Sequence, residues 1–366
     1  MKLKKILALI LCAAMLMAFA ASCKKTDAVQ TTPDGDVART DGALDLAGAY
    51  EAFKPGDVMM TVGGLDVTWD VLYYFLCHAI EEVIETTGSA PDLTIEGDSG
   101  AGTLGFKDQI ITRALENVVI YKAIEYGAKL HNVTLTEDDL ADIALDRQLA
   151  EEYYGVEGFA DELKANYMSG ECYAYLVGTS YLYTNIMAAV YGENGSKVTD
   201  AQVEEVLDGE EWFMAKHLLI LTEDRTQDEA LELAEGLHAQ IIAYDGDDLE
   251  AFFTDLVAQH GEDPGAVARP EGYIFTVYDM VAEFEQGTRD LDFGEVSEPV
   301  QTSYGYHIIY RLPVDYDATP TSWQNGSLRI SVAYELLQID IENWQLEMEI
   351  VHSSNYESLD LAKIFS

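Results

Sequence analysis

The chain has 366 residues, which is too many for one core of ordinary size, so we expect two folded units. Hydrophobic residues make up 48% of the chain and charged residues 24%, a balance that indicates a globular protein and excludes a disordered one. The formal net charge of −45 excludes nucleic acid as a partner, because binding to phosphates depends on Lys and Arg.

Residues 1–22 open with a basic Met-Lys-Leu-Lys-Lys stretch and continue with an apolar run from Ile6 to Ala21. This pattern resembles the signal peptide of an exported bacterial lipoprotein. That run is shorter than the roughly 20 residues that a membrane-spanning helix needs. Cys23 completes a segment similar to a lipobox, although Ala20 stands where Leu is usual. The similarity implies a lipid anchor on Cys23 that holds the mature protein on the outer face of the bacterial cell membrane.

The composition after the signal peptide predicts a tether and then a helical domain. Residues 23–56 are polar and rich in Thr, Asp, Gly and Ala, which predicts a lipidated N-terminus and a flexible tether. Residues 57–209 show a short apolar run, a Gly-Gly turn and then repeated helical periodicity. We expect Thr68 to cap the first long helix, and we predict a second helix from Phe106 to about Leu130. Residues 57–209 are therefore predicted to form the first part of a helical domain.

Two cysteines remain after the signal peptide and Cys23 are set aside. Cys77 and Cys172 both lie in apolar helical stretches. A disulfide between them is compatible with an exported protein. We favour two small buried thiols, because free Cys is among the most buried residue types.

A change of pattern at Glu211 predicts a second domain. Residues 212–221 have the apolar density of a strand, and helices, loops and short strands alternate after it up to Leu312. Two helical stripes are expected to cover one face of an antiparallel sheet: Ala230, Leu233, Ala234, Leu237 and Ile241, and then Leu249, Phe252, Leu256 and Val257. Residues 320–366 are helical again and need a helical partner, so we predict that the second domain is inserted into the helical one.

Residues 211–314 contain six short segments in a characteristic order: Ala215–Ile220 with His217, Gly261–Gly265 with Asp263, Glu271–Phe275, Met280–Phe284, Gly294–Val300, and Thr302–Ile309 with His307. In their order and spacing these segments resemble the parvulin family of peptidyl-prolyl isomerases. The resemblance implies an α+β fold, in which a parvulin-like antiparallel sheet with covering helices is inserted in a mainly α-helical chaperone domain. It also implies cis-trans isomerase, or rotamase, activity without a metal or cofactor.

Isomerisation sets its own demands on the site. Rotation about an X-Pro amide has a barrier of roughly 18–20 kcal/mol, and no bond is broken. A catalyst therefore needs an apolar slot for the proline ring and polar surroundings that favour the twisted amide. By resemblance, Met280 and Phe284 form the slot, Phe275 lies behind them, and Tyr304 also binds substrate. The spacing of four predicts Met280 and Phe284 on one face of a helical turn, with ordinary core packing as the alternative.

The resemblance also assigns the polar residues of the site. In parvulins the residues that match His217 and His307 form a hydrogen-bonded pair beneath the active site, and the one that matches Asp263 lies close to the substrate amide. The alternatives are two buried imidazoles satisfied by hydrogen bonds and an aspartate with a turn-forming role.

Departures from the family pattern keep a second function open. Gly272 and Tyr273 stand where many relatives have Leu-Gly, Val281 where Gln is common, and Tyr304 where Ser or Phe is common. A holdase chaperone with a catalytically inactive parvulin domain is therefore the first alternative. An extracellular binding or structural lipoprotein is the second, although no repeated βαβ units are seen.

The helical segments around residues 211–314 are similar to the chaperone part of foldases of the PrsA and SurA type. The opening Thr61–Thr68 is similar to their usual first strand and turn. The resemblance implies work on newly exported, unfolded polypeptides that contain X-Pro bonds, and it leaves a homodimer open. Several aromatic residues could line an apolar cleft for these polypeptides or form helix-packing core: Tyr73, Tyr74, Phe75, Tyr173, Tyr175, Tyr181 and Tyr183.

Overall fold

A computed structural model of the chain describes residues 44–94 and 105–366. The predicted signal peptide at 1–22 and the predicted lipidation site Cys23 lie outside the described residues. The fold divides into two compact units, one made of residues up to Val190 with Leu336–Ser366, the other of Tyr191–Glu335. Across the described ranges, every helix is too short or too polar to cross a membrane.

The first unit is mainly helical and opens with a β-hairpin. Its elements in chain order are α1 (Leu46–Ala49), β1 (Val58–Val62), β2 (Leu65–Thr68), α2 (Trp69–Thr87), α3 (Phe106–Leu130), α4 (Glu137–Tyr154), α5 (Val156–Ala165) and α6 (Gly170–Tyr191). Gly63 and Gly64 both have positive φ, which lets them form the tight turn between β1 and β2. The predicted helix from Phe106 to Leu130 is confirmed.

The stretch before β1 packs against the first unit, so the prediction of a flexible tether does not hold for residues 44–56. Tyr50 and Phe53 contact the core, and Ala49 is only 1% exposed. The indole of Trp69 donates to the carbonyl of Tyr50 at 2.8 Å, and the hydroxyl of Tyr73 donates to the carbonyl of Leu46 at 2.7 Å. Composition alone did not predict this packing, because a few well-placed apolar side chains are enough to bury a short segment.

Helix α2 supplies more buried residues to the core of the first unit than any other element that the structure describes. Thr68 stands at its N-cap, but its hydroxyl donates to the side chain of Asp70 at 2.6 Å and does not accept from the helix backbone. Cys77 and Cys172 are buried free thiols, as predicted. Burial raises the pKa of both thiols, which keeps them protonated and unreactive.

The second unit contains a four-stranded antiparallel sheet. Its elements are α7 (Asp200–Val206), β3 (Trp212–Leu221), α8 (Gln227–Ile242), α9 (Leu249–His260), α10 (Pro264–Ala268), β4 (Tyr273–Thr276), α11 (Ala282–Arg289), β5 (Val300–Gln301) and β6 (Gly305–Leu312). The strand order is β4-β3-β6-β5. Strand β3 has the predicted bounds, and the mixed fold class is confirmed.

Helices α8 and α9 pack against β3 and β6. Thr226 caps α8 through a capping box with Glu229. The predicted stripe on α8 is buried except at Leu233, which is half exposed. On α9 the fully buried aromatic is Phe253 and not the predicted Phe252. Both differences lie at the edge of a helical stripe, where periodicity alone does not decide which side chain faces the core.

The C-terminal segment returns to the first unit. Its elements are α12 (Leu328–Glu347), β7 (Ile350–His352), α13 (Ser354–Glu357) and α14 (Leu361–Ile364). Strand β7 pairs antiparallel with β1 and completes a sheet of order β2-β1-β7. Leu361 and Phe365 are fully buried in the core of the first unit.

Candidate functional site

Strands β3 and β6 bring two histidines together at the centre of the larger sheet. Leu219 pairs with His307 and His217 pairs with Ile309, so the two imidazoles are diagonal neighbours on the same face. The Nδ1 atoms of His217 and His307 are 2.9 Å apart, and both residues are buried. The Nε2 atom of His307 lies 3.0 Å from the hydroxyl of Thr302 in the turn before β6.

Asp263 lies at the other end of this hydrogen-bond chain, in the loop between α9 and α10. Its Oδ2 atom is 2.8 Å from Nε2 of His217 and accepts a hydrogen bond from the hydroxyl of Tyr273 at 2.9 Å. Its Oδ1 atom accepts from the backbone N–H of Gly265 at 2.9 Å and so caps α10. The side chain of Asp263 is still 25% exposed, so it is open to a ligand.

The electrostatics of the site are set by these contacts and by burial. Hydrogen bonds from His217, from the Gly265 backbone and from Tyr273 hold the pKa of Asp263 well below its ordinary value. The carboxyl group is therefore ionised at neutral pH, and Nε2 of His217 donates to it. Burial, with the neighbouring His217, lowers the pKa of His307 to about 3, so this imidazole is neutral.

Phe284 forms an apolar wall against the histidine pair. Its ring centroid lies 5.2 Å from that of His217 and 5.4 Å from that of His307, both in edge-to-face geometry. Phe275 lies behind it at 5.6 Å and is fully buried, which fits a backing role. Phe284 is itself only 3% exposed, so in this state its ring is almost covered.

The predicted helical placement of Met280 is wrong. Helix α11 begins at Ala282 with Val281 as its N-cap, so Met280 lies in the preceding loop. Its backbone N–H donates to Oε1 of the buried Glu285 at 3.1 Å, which ties this loop to α11. Met280 is half-buried and packs at the edge of the core that contains Phe284. A ligand that contacts Met280 therefore meets the loop before α11 and not the face of a helix.

Tyr304 lies on the surface beside the polar end of the site. It is 58% exposed and occupies the turn between β5 and β6. Its backbone N–H donates to the hydroxyl of Thr302 at 3.1 Å. The Tyr304 side chain is therefore exposed to solvent close to Thr302, the residue whose hydroxyl contacts His307.

Sequence reasoning missed three residues that shape the site. Thr302, Tyr273 and Gly265 all lay within segments that carry the family resemblance, but none was assigned a role. Tyr273 was noted only as a departure from Leu-Gly, and its hydrogen bond to Asp263 requires the observed pairing of Ala215 with Tyr273. Residue type could have found Thr302, since a hydroxyl five residues before a buried histidine is a ready hydrogen-bond partner.

A second candidate site is a cleft in the first unit, with a volume of about 730 Å³. Its apolar lining includes Tyr50, Tyr73, Phe159, Leu163, Tyr167 and Met168. Of the aromatic residues proposed from the sequence, Tyr73 lines this cleft, whereas Tyr74 and Phe75 are buried in the core. Tyr175 donates to Glu125 at 2.8 Å and packs against the ammonium group of Lys122.

Among the residues that the structure describes, no three His, Cys, Asp or Glu side chains cluster in a way that could hold a metal ion.

The comparisons with known proteins agree with the geometry. The model of the PPIC-type PPIase domain, the Rotamase family, matches residues 217–312. The foldase protein PrsA of Caldanaerobacter subterraneus subsp. tengcongensis is 28% identical over 260 residues, which cover 69% of this chain and 72% of that protein. The PrsA of Halalkalibacterium halodurans is 31% identical over 134 residues, which cover 35% of this chain and 36% of that protein. The chaperone SurA of Nitrosococcus oceani is 23% identical over 133 residues, which cover 36% of this chain and 30% of that protein. Residues 217–312 therefore form a parvulin-type peptidyl-prolyl cis-trans isomerase domain, and the chain is similar to foldases and chaperones of the PrsA and SurA type.

Proposed function

We propose that residues 211–314 isomerise X-Pro bonds of newly exported polypeptides at the site formed by His217, Asp263, His307 and Phe284. The observation that carries this proposal is the hydrogen-bond chain from Asp263 through His217 to His307 directly against the Phe284 ring. This arrangement joins a fixed charge to an apolar surface, which is what rotation about a prolyl amide requires.

The proposed mechanism needs no bond to the substrate. A planar amide is stabilised by resonance between nitrogen and carbonyl, and this resonance is lost when the bond twists. A site that holds the proline ring against Phe284 and Met280 fixes one side of the amide while the other turns. Asp263, already held by three hydrogen bonds, needs no reorganisation to interact with the changed charge distribution of the twisted amide.

Substrate entry requires a local movement. Phe284 is almost covered, whereas Met280 is half-buried in the loop before α11. We expect the Met280 side chain to shift when a proline ring binds, since it is only half-buried at the edge of the core. Such a shift would open the Phe284 ring without disturbing β3 or β6.

The helical unit is proposed to hold unfolded segments in its cleft of about 730 Å³. Aromatic and aliphatic side chains line the cleft, and Tyr50, Tyr167 and Met168 can contact apolar side chains of varied shape. The relatives named foldases and chaperones support such a role. We propose that the mature protein works outside the cell membrane, anchored through a lipid on Cys23.

A holdase with an inactive isomerase domain is the competing function, and the nearly covered Phe284 favours it. Two measurements on the mature chain separate the functions: cis-trans exchange of a short X-Pro peptide by NMR, and suppression of aggregation of an unfolded protein. The proposal expects both activities, with exchange lost in Asp263→Ala and retained in a variant of an exposed residue such as Glu298→Gln. Exchange at the uncatalysed rate with intact suppression would establish the holdase.

A further inference from the structure

The carboxylate of Asp263 has a second support that the family resemblance did not assign. An ionised carboxylate has about four lone-pair directions, and three of those of Asp263 are occupied. His217 and Tyr273 both contact Oδ2, and the Gly265 backbone N–H contacts Oδ1. One direction on Oδ1 remains for a ligand, so the contacts on Oδ2 decide where that open oxygen points.

Tyr273 is rigidly placed for this contact. Its backbone pairs with Ala215 of β3, and its ring meets the His217 ring edge-on with centroids 5.3 Å apart. The guanidinium of Arg269 lies over the same ring, 5.6 Å from its centroid. Burial, with the nearby Asp263, raises the pKa of Tyr273 to about 12, so its hydroxyl keeps the proton that it donates.

Gly265 provides the space that the hydroxyl occupies. A Cβ atom at residue 265 would stand 2.2 Å from the hydroxyl oxygen of Tyr273 and 3.1 Å from Oδ1 of Asp263. The first distance is far below any real contact, so a side chain at 265 and a hydroxyl at 273 exclude each other. The absence of a side chain at Gly265 therefore leaves the space that the hydroxyl of Tyr273 fills.

We propose that Tyr273 is a positioning residue for isomerisation, which clamps Asp263 through its hydroxyl in a space that Gly265 leaves open. The inference rests on the proposed function of the site and adds a residue to it. Without the hydroxyl, Oδ2 keeps one partner, and the carboxylate gains freedom about its last torsion. The open oxygen is then less often directed at the substrate amide.

The first test is Tyr273→Phe in the mature chain, which removes the hydroxyl and keeps the ring. Exchange of an X-Pro peptide should fall roughly tenfold, since small misplacements of reacting groups are costly. The carboxyl resonance of Asp263 should titrate at higher pH than in the unchanged protein. Tyr306→Phe is the matched control, because Tyr306 is also buried in the sheet and its hydroxyl has no contact with Asp263.

The second test is a double-mutant cycle with Gly265→Ala. Gly265→Ala should lower exchange about as much as Tyr273→Phe, since the new methyl group expels the hydroxyl from its place. The double variant should be no worse than either single variant, because without the hydroxyl the methyl group has room. Losses that multiply in the double variant would overturn the pairing of these residues.

The titration separates this inference from the proposed function. The titratable groups that act on Asp263 are His217 on β3, Tyr273 on β4 and His307 on β6. Arg269 lies beside Tyr273, and the carboxylate of the neighbouring Glu262 pairs with Arg225. An unchanged Asp263 titration in Tyr273→Phe overturns the clamp, whatever the activity. In the other outcome, the unaltered protein catalyses no exchange while the titration of Asp263 still shifts in Tyr273→Phe. That result would keep the contact between Tyr273 and Asp263 and reject the isomerase function.

Discussion

Arg225 forms a bidentate ion pair with Glu262, the residue immediately before Asp263. The guanidinium nitrogens lie 2.6 and 2.7 Å from the two carboxylate oxygens. Glu262 also accepts from the backbone N–H of Leu221 at 2.7 Å, and its own N–H donates to Leu219 at 3.0 Å. The pair therefore fastens the Asp263 loop to the end of β3.

Replacing Arg225 with Lys should loosen that loop. A lysine keeps the charge but cannot make two parallel hydrogen bonds, so we expect a loss of about 1 kcal/mol in the free energy of unfolding and a few-fold slower exchange. Urea unfolding and peptide exchange measure the two effects. Arg147→Lys is the control, because Arg147 pairs with Glu151 on the exposed surface of α4, and it should cost under about 0.5 kcal/mol. Equal effects of the two variants would argue against the anchoring role.

Phe284→Leu should separate the apolar wall from simple core packing. The change keeps most of the apolar volume but removes the ring that faces both histidines, so exchange should fall more than about tenfold while stability falls by about 1.5 kcal/mol. Phe253→Leu, at a fully buried position on α9, should cost similar stability and leave exchange intact. Unchanged exchange in a variant that lacks both Met280 and Phe284 would remove the slot assignment.

Acid should destabilise the second unit through His307. Its pKa is about 3 in the folded protein against 6.5 for the free side chain, so the unfolded chain binds more protons between these values. Stability is therefore fully present above about pH 6.5 and is lost as the pH falls, by about 2 kcal/mol at about pH 5. Asp263 has a lowered pKa too, and its contribution is lost only below its unfolded value of about 4.

Urea unfolding at several pH values measures this dependence. A His307→Gln variant should show a flatter profile in the same range, although its stability at neutral pH is lower. His260→Gln, at an exposed position at the end of α9, should keep the steep profile. A steep profile in His307→Gln would assign the acid effect to another group.

Substrates with a basic residue before proline should be preferred over those with an acidic one. The cations of residues 211–314 all have partners within that segment: Lys216 with Glu250, Arg225 with Glu262, Arg289 with Glu211, Arg311 with backbone carbonyls of 288–291, and Arg269 with the ring of Tyr273. Asp263 is left as an ionised, partly exposed group. Exchange rates for Lys-Pro and Glu-Pro peptides should differ by roughly threefold to tenfold at low salt and converge at high salt.

Asp263→Asn should reduce that difference, because it removes the charge and keeps the shape. Arg269→Gln should enlarge it, since it removes the cation nearest to Tyr273. A preference for Glu-Pro that disappears in Arg269→Gln would reverse the assignment and make Arg269 the residue that selects the substrate.

The cleft of the helical unit should lose affinity for unfolded chains when a charge is placed on its apolar rim. Val156 lines the cleft and is largely exposed, so Val156→Asp should leave the fold intact and reduce the suppression of aggregation several-fold. Leu346→Asp is the control, because Leu346 is exposed on α12 and does not line the cleft. Equal suppression by both variants would locate client binding elsewhere.

The sequence by itself determined the local elements and the identity of most site residues. Strand β3 and the helix from Phe106 to Leu130 follow from neighbours in the chain, whose periodicity acts over a few residues. His217, His307 and Asp263 could be named because the order of segments resembled a known family, and the structure brings these three together.

Only the tertiary structure decided how these residues are held. The strand register sets His307 diagonal to His217, the space at Gly265 admits the Tyr273 hydroxyl, and the bond from Met280 to Glu285 places the slot residue before α11 and not on it. Each of these contacts joins residues whose mutual distance depends on strand pairing or on a gap in the packing. Local propensity contains no information about either, so it could name the residues of the site but not their geometry.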